Sequence, residues 1–237
     1  MDKTVLLINP PVYDFAAHDL FSKPLGLLYL AARLRRVGYT VRLLDCMDRH
    51  HPALLARYSL PVVKDNGTGK YFSQIIERPA CLQNIPRYYR RYGLPEDIVT
   101  GELESLAGEE KPVAVLLTSI MTYWYPGVRD TISLVRKILP GTPVGLGGVY
   151  ATLMPEHAQR VCQPDRLFTG CDINPLLQWL STLTGNEIPY QPVAAEFSGW
   201  PAPAYDLYGR LDYLALMTSL GCPFRCDYCA SRILQPQ

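Results

Sequence analysis

Thr4-Val5-Leu6-Leu7-Ile8-Asn9-Pro10-Pro11 (TVLLINPP, residues 4–11) is the stretch whose reading decides the fold. Val5 to Ile8 is an unbroken aliphatic run with no polar alternation, so a strand made from it must be covered on both faces. Asn9-Pro10-Pro11 stops it. A loop follows to Lys23. Pro24 to Val37 (PLGLLYLAARLRRV) then reads as a helix: Pro24 suits its first turn, Arg33, Arg35 and Arg36 crowd its end, and Gly38 terminates it. Thr40 to Leu44 (TVRLL) is a second strand, ending at Asp45.

The alternation resumes downstream. Val113 to Thr118 (VAVLLT) is a third strand and Gly127 to Leu139 the next helix. Pro143 to Leu146 leads into Gly147-Gly148 as a short fourth strand, Pro155 to Val161 is a short helix, Arg166 to Thr169 a fifth strand ending at Gly170, and Asn174 to Leu183 a last helix. Strands alternating with helices predict an α/β chain: a doubly wound parallel five-stranded sheet, flavodoxin- or Rossmann-like, with strand order 2-1-3-4-5. Such sheets bind ligands at the carboxyl ends of their strands, near the switch in strand order.

Composition narrows the partners. The 237 residues are 48% hydrophobic and 19% charged, with a formal net charge of +1. That gives no electrostatic case for nucleic acid or an anionic membrane. Val5–Ile8 is too short for a signal segment, and no run approaches the roughly 20 apolar residues of a spanning helix. A cytoplasmic protein is expected. Seven cysteines in such a chain are expected to be reduced. Cys46, Cys81, Cys162 and Cys171 are scattered and read as small core or loop residues.

Two regions break the rhythm. Residues 46–112 form a long insertion, expected to carry helices and sit as a lid. Within it, His50-His51 reads as polar loop surface, Gly67-Thr68-Gly69-Lys70 as a flexible turn rather than a phosphate loop, and Arg87–Tyr92 as a solvated helix face. Residues 185–212 form a linker, proline-rich as far as 206. Tyr213 to Thr218 (YLALMT) then reads as a new strand running into Cys222, Cys226 and Cys229. The expected organisation is a domain over 1–184, the linker over 185–212, and the start of a second domain over 213–237.

Three thiolates in C-x-x-x-C-x-x-C spacing suit three irons of a [4Fe-4S] cluster, with the fourth iron left open. Zinc is the rival, although structural zinc takes four closed ligands, and no histidine follows Cys229. Gly221-Cys222-Pro223-Phe224-Arg225-Cys226-Asp227-Tyr228-Cys229 resembles the cluster loop of the radical S-adenosylmethionine (SAM) enzymes, with Tyr228 in the aromatic position. The resemblance implies a partial (β/α) barrel beginning at Tyr213–Thr218, SAM bound at the open iron and cleaved there by an electron, and an electron donor such as a flavodoxin or ferredoxin. Roughly another 150 to 250 residues complete a barrel, and eight follow Cys229. The chain is therefore expected to be the N-terminal portion of a larger enzyme, inactive by itself, with an unknown substrate.

The upstream part resembles the cobalamin-binding domain of one branch of that superfamily, through Ile8–Pro11, Pro24–Leu27, the third strand and Gly147-Gly148. Ser119-Ile120-Met121 stands where that family has Ser-x-Leu, 147 − 119 = 28 residues before the glycine pair. A nucleotide tail sliding between strands needs a small hydroxyl residue at one strand end and bare backbone at the next. The resemblance implies cobalamin, lined by Asn9, Ser119, Met121, Gly147, Gly148 and Gly170, and methyl transfer as the reaction. The Asp-x-His-x-x-Gly motif of many cobalamin proteins is missing: Lys23 stands three before Gly26, and His18 is at the wrong spacing. Tyr123-Trp124-Tyr125 suits a corrin face and interdomain packing equally. A cobalamin-free docking module, presenting residues 46–112 to a partner, is the alternative.

Overall fold

The computed structural model describes residues 3–59, 64–191 and 199–235. β1 (Thr4–Asn9) is buried at all six positions. β2 (Val12–Asp14) and β3 (His18–Asp19) are short extended pieces in the following loop, and α1 (Leu25–Arg36) leads to β4 (Thr40–Asp45). Then come α2 (Pro52–Arg57), β5 (Gly69–Lys70), β6 (Ser73–Ile75), β7 (Arg90–Tyr92) and α3 (Glu96–Glu109). The second half is β8 (Ala114–Ser119), α4 (Tyr125–Ile138), β9 (Val144–Gly147), α5 (Gly148–Leu153), α6 (Pro155–Cys162), β10 (Arg166–Leu167), α7 (Asn174–Thr184) and a last turn, α8 (Ser231–Leu234).

β10-β9-β8-β1-β4 form one five-stranded sheet in which every pairing is parallel. This is the expected order, 2-1-3-4-5. Alternate β1 side chains serve two cores. Leu6 and Ile8 pack with α3 and α4, while Val5 and Leu7 pack with α1 and α7. A strand without a polar face is stable only under such double cover.

Several local expectations change. The 46–112 segment ends in α3, whose Ile98, Val99 and Leu103 are buried in the core, so this stretch is the crossover helix from β4 to β8. Its Glu-rich exposed side hid that pattern. Arg87–Tyr92 is no helix face: β7 pairs antiparallel with β2 and β6, and Tyr89, Arg91 and Tyr92 are buried. His50 and His51 are mostly buried side chains rather than loop surface. The fifth strand stops at Leu167, and α5 begins at Gly148, where no helix was expected. Tyr213–Thr218 forms no strand. Its residues alternate half-buried and exposed, yet none is paired in a ladder, and a strand without a hydrogen-bonded neighbour is not one. Among the described residues no helix is long and apolar enough to cross a membrane.

Gly127, in the first turn of α4, lies against the Pro11 backbone, and an added Cβ would fall on the Pro11 carbonyl oxygen. This contact sets how closely the post-β1 loop approaches the sheet end. Gly127→Ala is expected to destabilise the fold by roughly 1–3 kcal/mol through overpacking, seen as a lowered urea midpoint with an unchanged m-value.

Candidate functional site

The switch in strand order falls between β1 and β8, because the chain leaves β1 for β4 on one side and returns to β8 on the other. Parallel strands all point one way, so their carboxyl ends open a crevice there. It holds a cavity of about 460 Å³ lined by Asn9, Pro11, Lys23, Ser119, Met121 and Trp124. His18 lies at its rim and is exposed.

A second cavity, about 370 Å³, opens between α1, the ends of β8 and β9, and α7. Gly147, Gly148 and Gly170 line it, with Leu27, Phe168 and Leu176 among its apolar walls. The six expected cofactor residues thus divide: Asn9, Ser119 and Met121 on the first cavity, the three glycines on the second. Thr118 lines both.

The seam between them is built from backbone. Ser119 bridges Gly148 in parallel fashion just beyond the regular ladder. Gly148 has φ +88°, and a Cβ there would fall on Thr118 Oγ1. Only glycine combines that dihedral with that proximity. Gly147 differs: its φ of −133° is ordinary, and an added Cβ would have its nearest neighbour 3.7 Å away, at the Phe168 carbonyl. Ser119 Oγ donates to the Met121 carbonyl oxygen at 2.9 Å, which pins the turn out of β8. The Met121 side chain is 40% exposed at the crevice.

Asn9 has a second engagement. It stands opposite Asp45 in the β1–β4 register, and its Nδ2 donates to Asp45 Oδ1 at 2.7 Å. Asp45 also accepts the Met47 N–H at 2.9 Å and the Tyr208 hydroxyl at 2.5 Å. Burial pushes the Asp45 carboxyl above its ordinary range, with Lys23 and these hydrogen bonds opposing. Lys23 is itself buried, its ammonium 4.4 Å from the centre of the Tyr208 ring.

Residues 204–213 are consequently a strap across the sheet edge. The Ala204 N–H donates to the Leu28 carbonyl oxygen at 3.1 Å. Asp212 Oδ2 lies 2.5 Å from His50 Nε2 and 3.8 Å from Arg49 Nη2. The Tyr213 hydroxyl donates to Asp19, which Arg49 also holds at 3.1 Å. Burial pushes the Asp212 carboxyl up, but the hydrogen bond and charge of His50, with Arg210, outweigh it and leave the group below its ordinary range. The pairings of Asp45 with Lys23 and of His50 with Asp212 were missed in the sequence because the partners in each lie on separate segments. The one local signal was Lys23, three residues before Gly26.

Cys222, Cys226 and Cys229 lie in one loop, the first half-buried and the others exposed. The Cys229 N–H donates to the Cys226 carbonyl oxygen at 3.1 Å, and the Ser231 hydroxyl contact at 3.1 Å lowers the Cys229 thiol pKa. Phe224 and Tyr228 are exposed beside them. The donors are soft and of one kind, which suits iron and sulfide. Among the described residues no three His, Cys, Asp or Glu side chains are gathered as a metal site.

No known family model matches the sequence. It is 27% identical over 184 residues to cytidylyl-2-hydroxyethylphosphonate methyltransferase of Streptomyces wedmorensis, a match covering 77% of this chain and 29% of that protein. It is 26% identical over 168 residues to an uncharacterized methyltransferase of Pyrococcus horikoshii, covering 60% of this chain and 36% of the other. The chain spans about a third of the length of these curated relatives. Among solved structures it is similar to the radical S-adenosylmethionine methyltransferase TsrM from Kitasatospora setae. The form with cobalamin and a [4Fe-4S] cluster bound matches with TM-score 0.49 and 18% identity over 79% of this chain and 26% of that one. The form with tryptophan and a SAM analogue matches with TM-score 0.49 and 17% identity over 78% and 27%.

Two outcomes are expected of the strap. Tyr208→Phe leaves a buried carboxylate oxygen without its donor and should cost about 1–3 kcal/mol in chemical denaturation. Because folding holds Asp212 below its unfolded pKa, its contribution is complete above about pH 4 and is lost as the pH falls further. Asp212→Asn should therefore flatten the acid limb of stability against pH, measured as urea midpoints between pH 7 and pH 3.

Proposed function

We propose that this chain is the cobalamin-binding N-terminal part of a radical SAM methyltransferase. The observation that carries the reading is the Ser119–Gly148 bridge, with its positive-φ glycine and the glycine-lined cleft beside it. That backbone has no Cβ at the point where two strand ends meet, which lets a flat group in the cleft lie close against it. The residues present fit cobalamin: Gly147, Gly148 and Gly170 would line its nucleotide tail, while Asn9, Ser119 and Met121 would face the switch-point cavity. When bound, cobalamin supplies a methyl group that can be transferred.

Cys222, Cys226 and Cys229 would hold a [4Fe-4S] cluster whose open iron takes SAM, with a flavodoxin or ferredoxin as electron donor. The thiol set fits by its chemistry, and the names of the two sequence relatives, both methyltransferases, support the transfer. In this reading the chain's own residues do three things. The glycine-lined cleft takes the tail against bare backbone, the apolar cleft walls exclude water from it, and the Asn9–Asp45–Tyr208 network holds the strap that leads to the thiols.

Anaerobic incubation with hydroxocobalamin, followed by desalting, should leave near-stoichiometric cobalt with a corrin spectrum. Gly147→Leu has room for its first carbon and should fold, yet it should weaken binding by about tenfold or more, since overfilling a pocket costs roughly 1–3 kcal/mol. A folded chain that retains no cobalt would make this a docking module instead. Reconstitution with iron and sulfide should give a charge-transfer absorption that Cys226→Ser abolishes; stoichiometric zinc in anaerobically purified protein would count against the cluster.

A further inference from the structure

The segment that carries the three thiols also forms one wall of the glycine cleft. Met217 and Leu220 line that cavity, and so does Gln235 from beyond the loop. Leu220 stands two residues before Cys222. The Gln235 side-chain oxygen accepts the Gly221 N–H at 2.6 Å, which closes the neck of the loop. α8 packs on α5, the helix that Gly148 begins. Both ends of the thiol loop therefore rest on the cleft.

The segment has little else to rest on. No residue from 214 to 235 is fully buried, and Leu214, Leu216, Phe224, Tyr228 and Ile233 are exposed. Upstream it is anchored, because the Tyr205 hydroxyl donates to the Ala215 carbonyl oxygen at 2.5 Å and Tyr213 is held by Asp19. Chain that is fixed at one end and buries little apolar surface beyond it opens locally at low cost. A ligand in the cleft would place apolar atoms against Met217 and Leu220, which are only half-buried.

From this we infer that occupancy of the glycine cleft and closure of the thiol loop are one linked equilibrium: a ligand in the cleft orders the loop, and the ordered loop retains the ligand. The inference rests on the cobalamin reading for the identity of the ligand. Linkage makes the effect reciprocal, so a residue that transmits it must alter both ligand retention and loop protection. Met217 and Leu220 are those residues. Both line the cleft on the chain that leads into the loop neck, Leu220 directly before Gly221, and they belong to neither the glycine seam nor the thiol set.

Cys171 makes the test separable, because it also lines the cleft. The reduced, iron-free 237-residue chain is alkylated with iodoacetamide in the presence and absence of hydroxocobalamin, and each cysteine is followed by peptide mass spectrometry. Exposed Cys81 is the reference. Cobalamin is expected to slow alkylation of Cys171 and, about tenfold, of Cys222, Cys226 and Cys229, a factor within the usual range of coupling between sites, with Cys81 unchanged. In the Met217→Ala/Leu220→Ala chain, Cys171 should still be protected while the loop thiols are not, and cobalamin should leave faster on dilution. Protection of Cys171 alone in the unaltered chain would overturn the linkage and leave the cobalamin reading standing. Loop protection that survives the double substitution would also overturn it, since the ligand would then be shielding the thiols directly. No protection at Cys171 would remove both.

Discussion

The structure depends on the complete burial of β1. Six consecutive residues with no exposed side chain demand a helix layer above and below and a hydrogen-bonded neighbour on each edge. Meeting both demands with one chain sends the first crossover to β4 and the second to β8, in opposite directions. The crevice at the strand ends is the geometric remainder of that choice. Asn9, the last residue of β1, and Ser119, the last of β8, reach it because their strands run parallel and end together. The candidate site is thus a consequence of how a wholly apolar strand is housed.

The crevice is finished by polar groups that the fold has to bury. Asp45 ends the β4 edge strand next to Asn9, and a carboxylate there needs donors. One donor is the Tyr208 hydroxyl, 163 positions away in the chain. Satisfying a single buried carboxylate therefore brings the strap to the sheet edge, and the strap leads to the segment bearing Met217, Leu220 and the thiols. Lys23 and Asp212 reinforce the same anchor from either side. Packing at the glycine seam and polar satisfaction at Asp45 are independent constraints, and together they put the cysteine loop beside the cleft.

Some of this was legible residue by residue. The apolar runs of β1 and β8 and the helices α1, α4, α6 and α7 have strong local periods, and the expected strand order is the one the sheet adopts. Gly147-Gly148 and the cysteine spacing are local patterns with direct chemical meaning. Helix α3 was hidden by its acidic exposed side, and β7 by its two arginines, of which Arg91 is buried. Tyr213–Thr218 has the alternation of a strand, but a strand also needs a partner, which no local pattern supplies.

The sequence by itself determined the alternation of strands and helices, the bare backbone at Gly148, and the cluster of three thiols, because each rests on residues within a few positions of one another. Only the tertiary structure decided that the six residues expected to line a cofactor divide between two cavities meeting at Thr118. It alone decided that Asn9 is already engaged by Asp45, and that Cys171, Met217 and Gln235 share a cleft with Gly148. Those are contacts between distant segments. They are set by how two cores close on one sheet and by which buried polar groups find donors, and neither is written in any single stretch of chain.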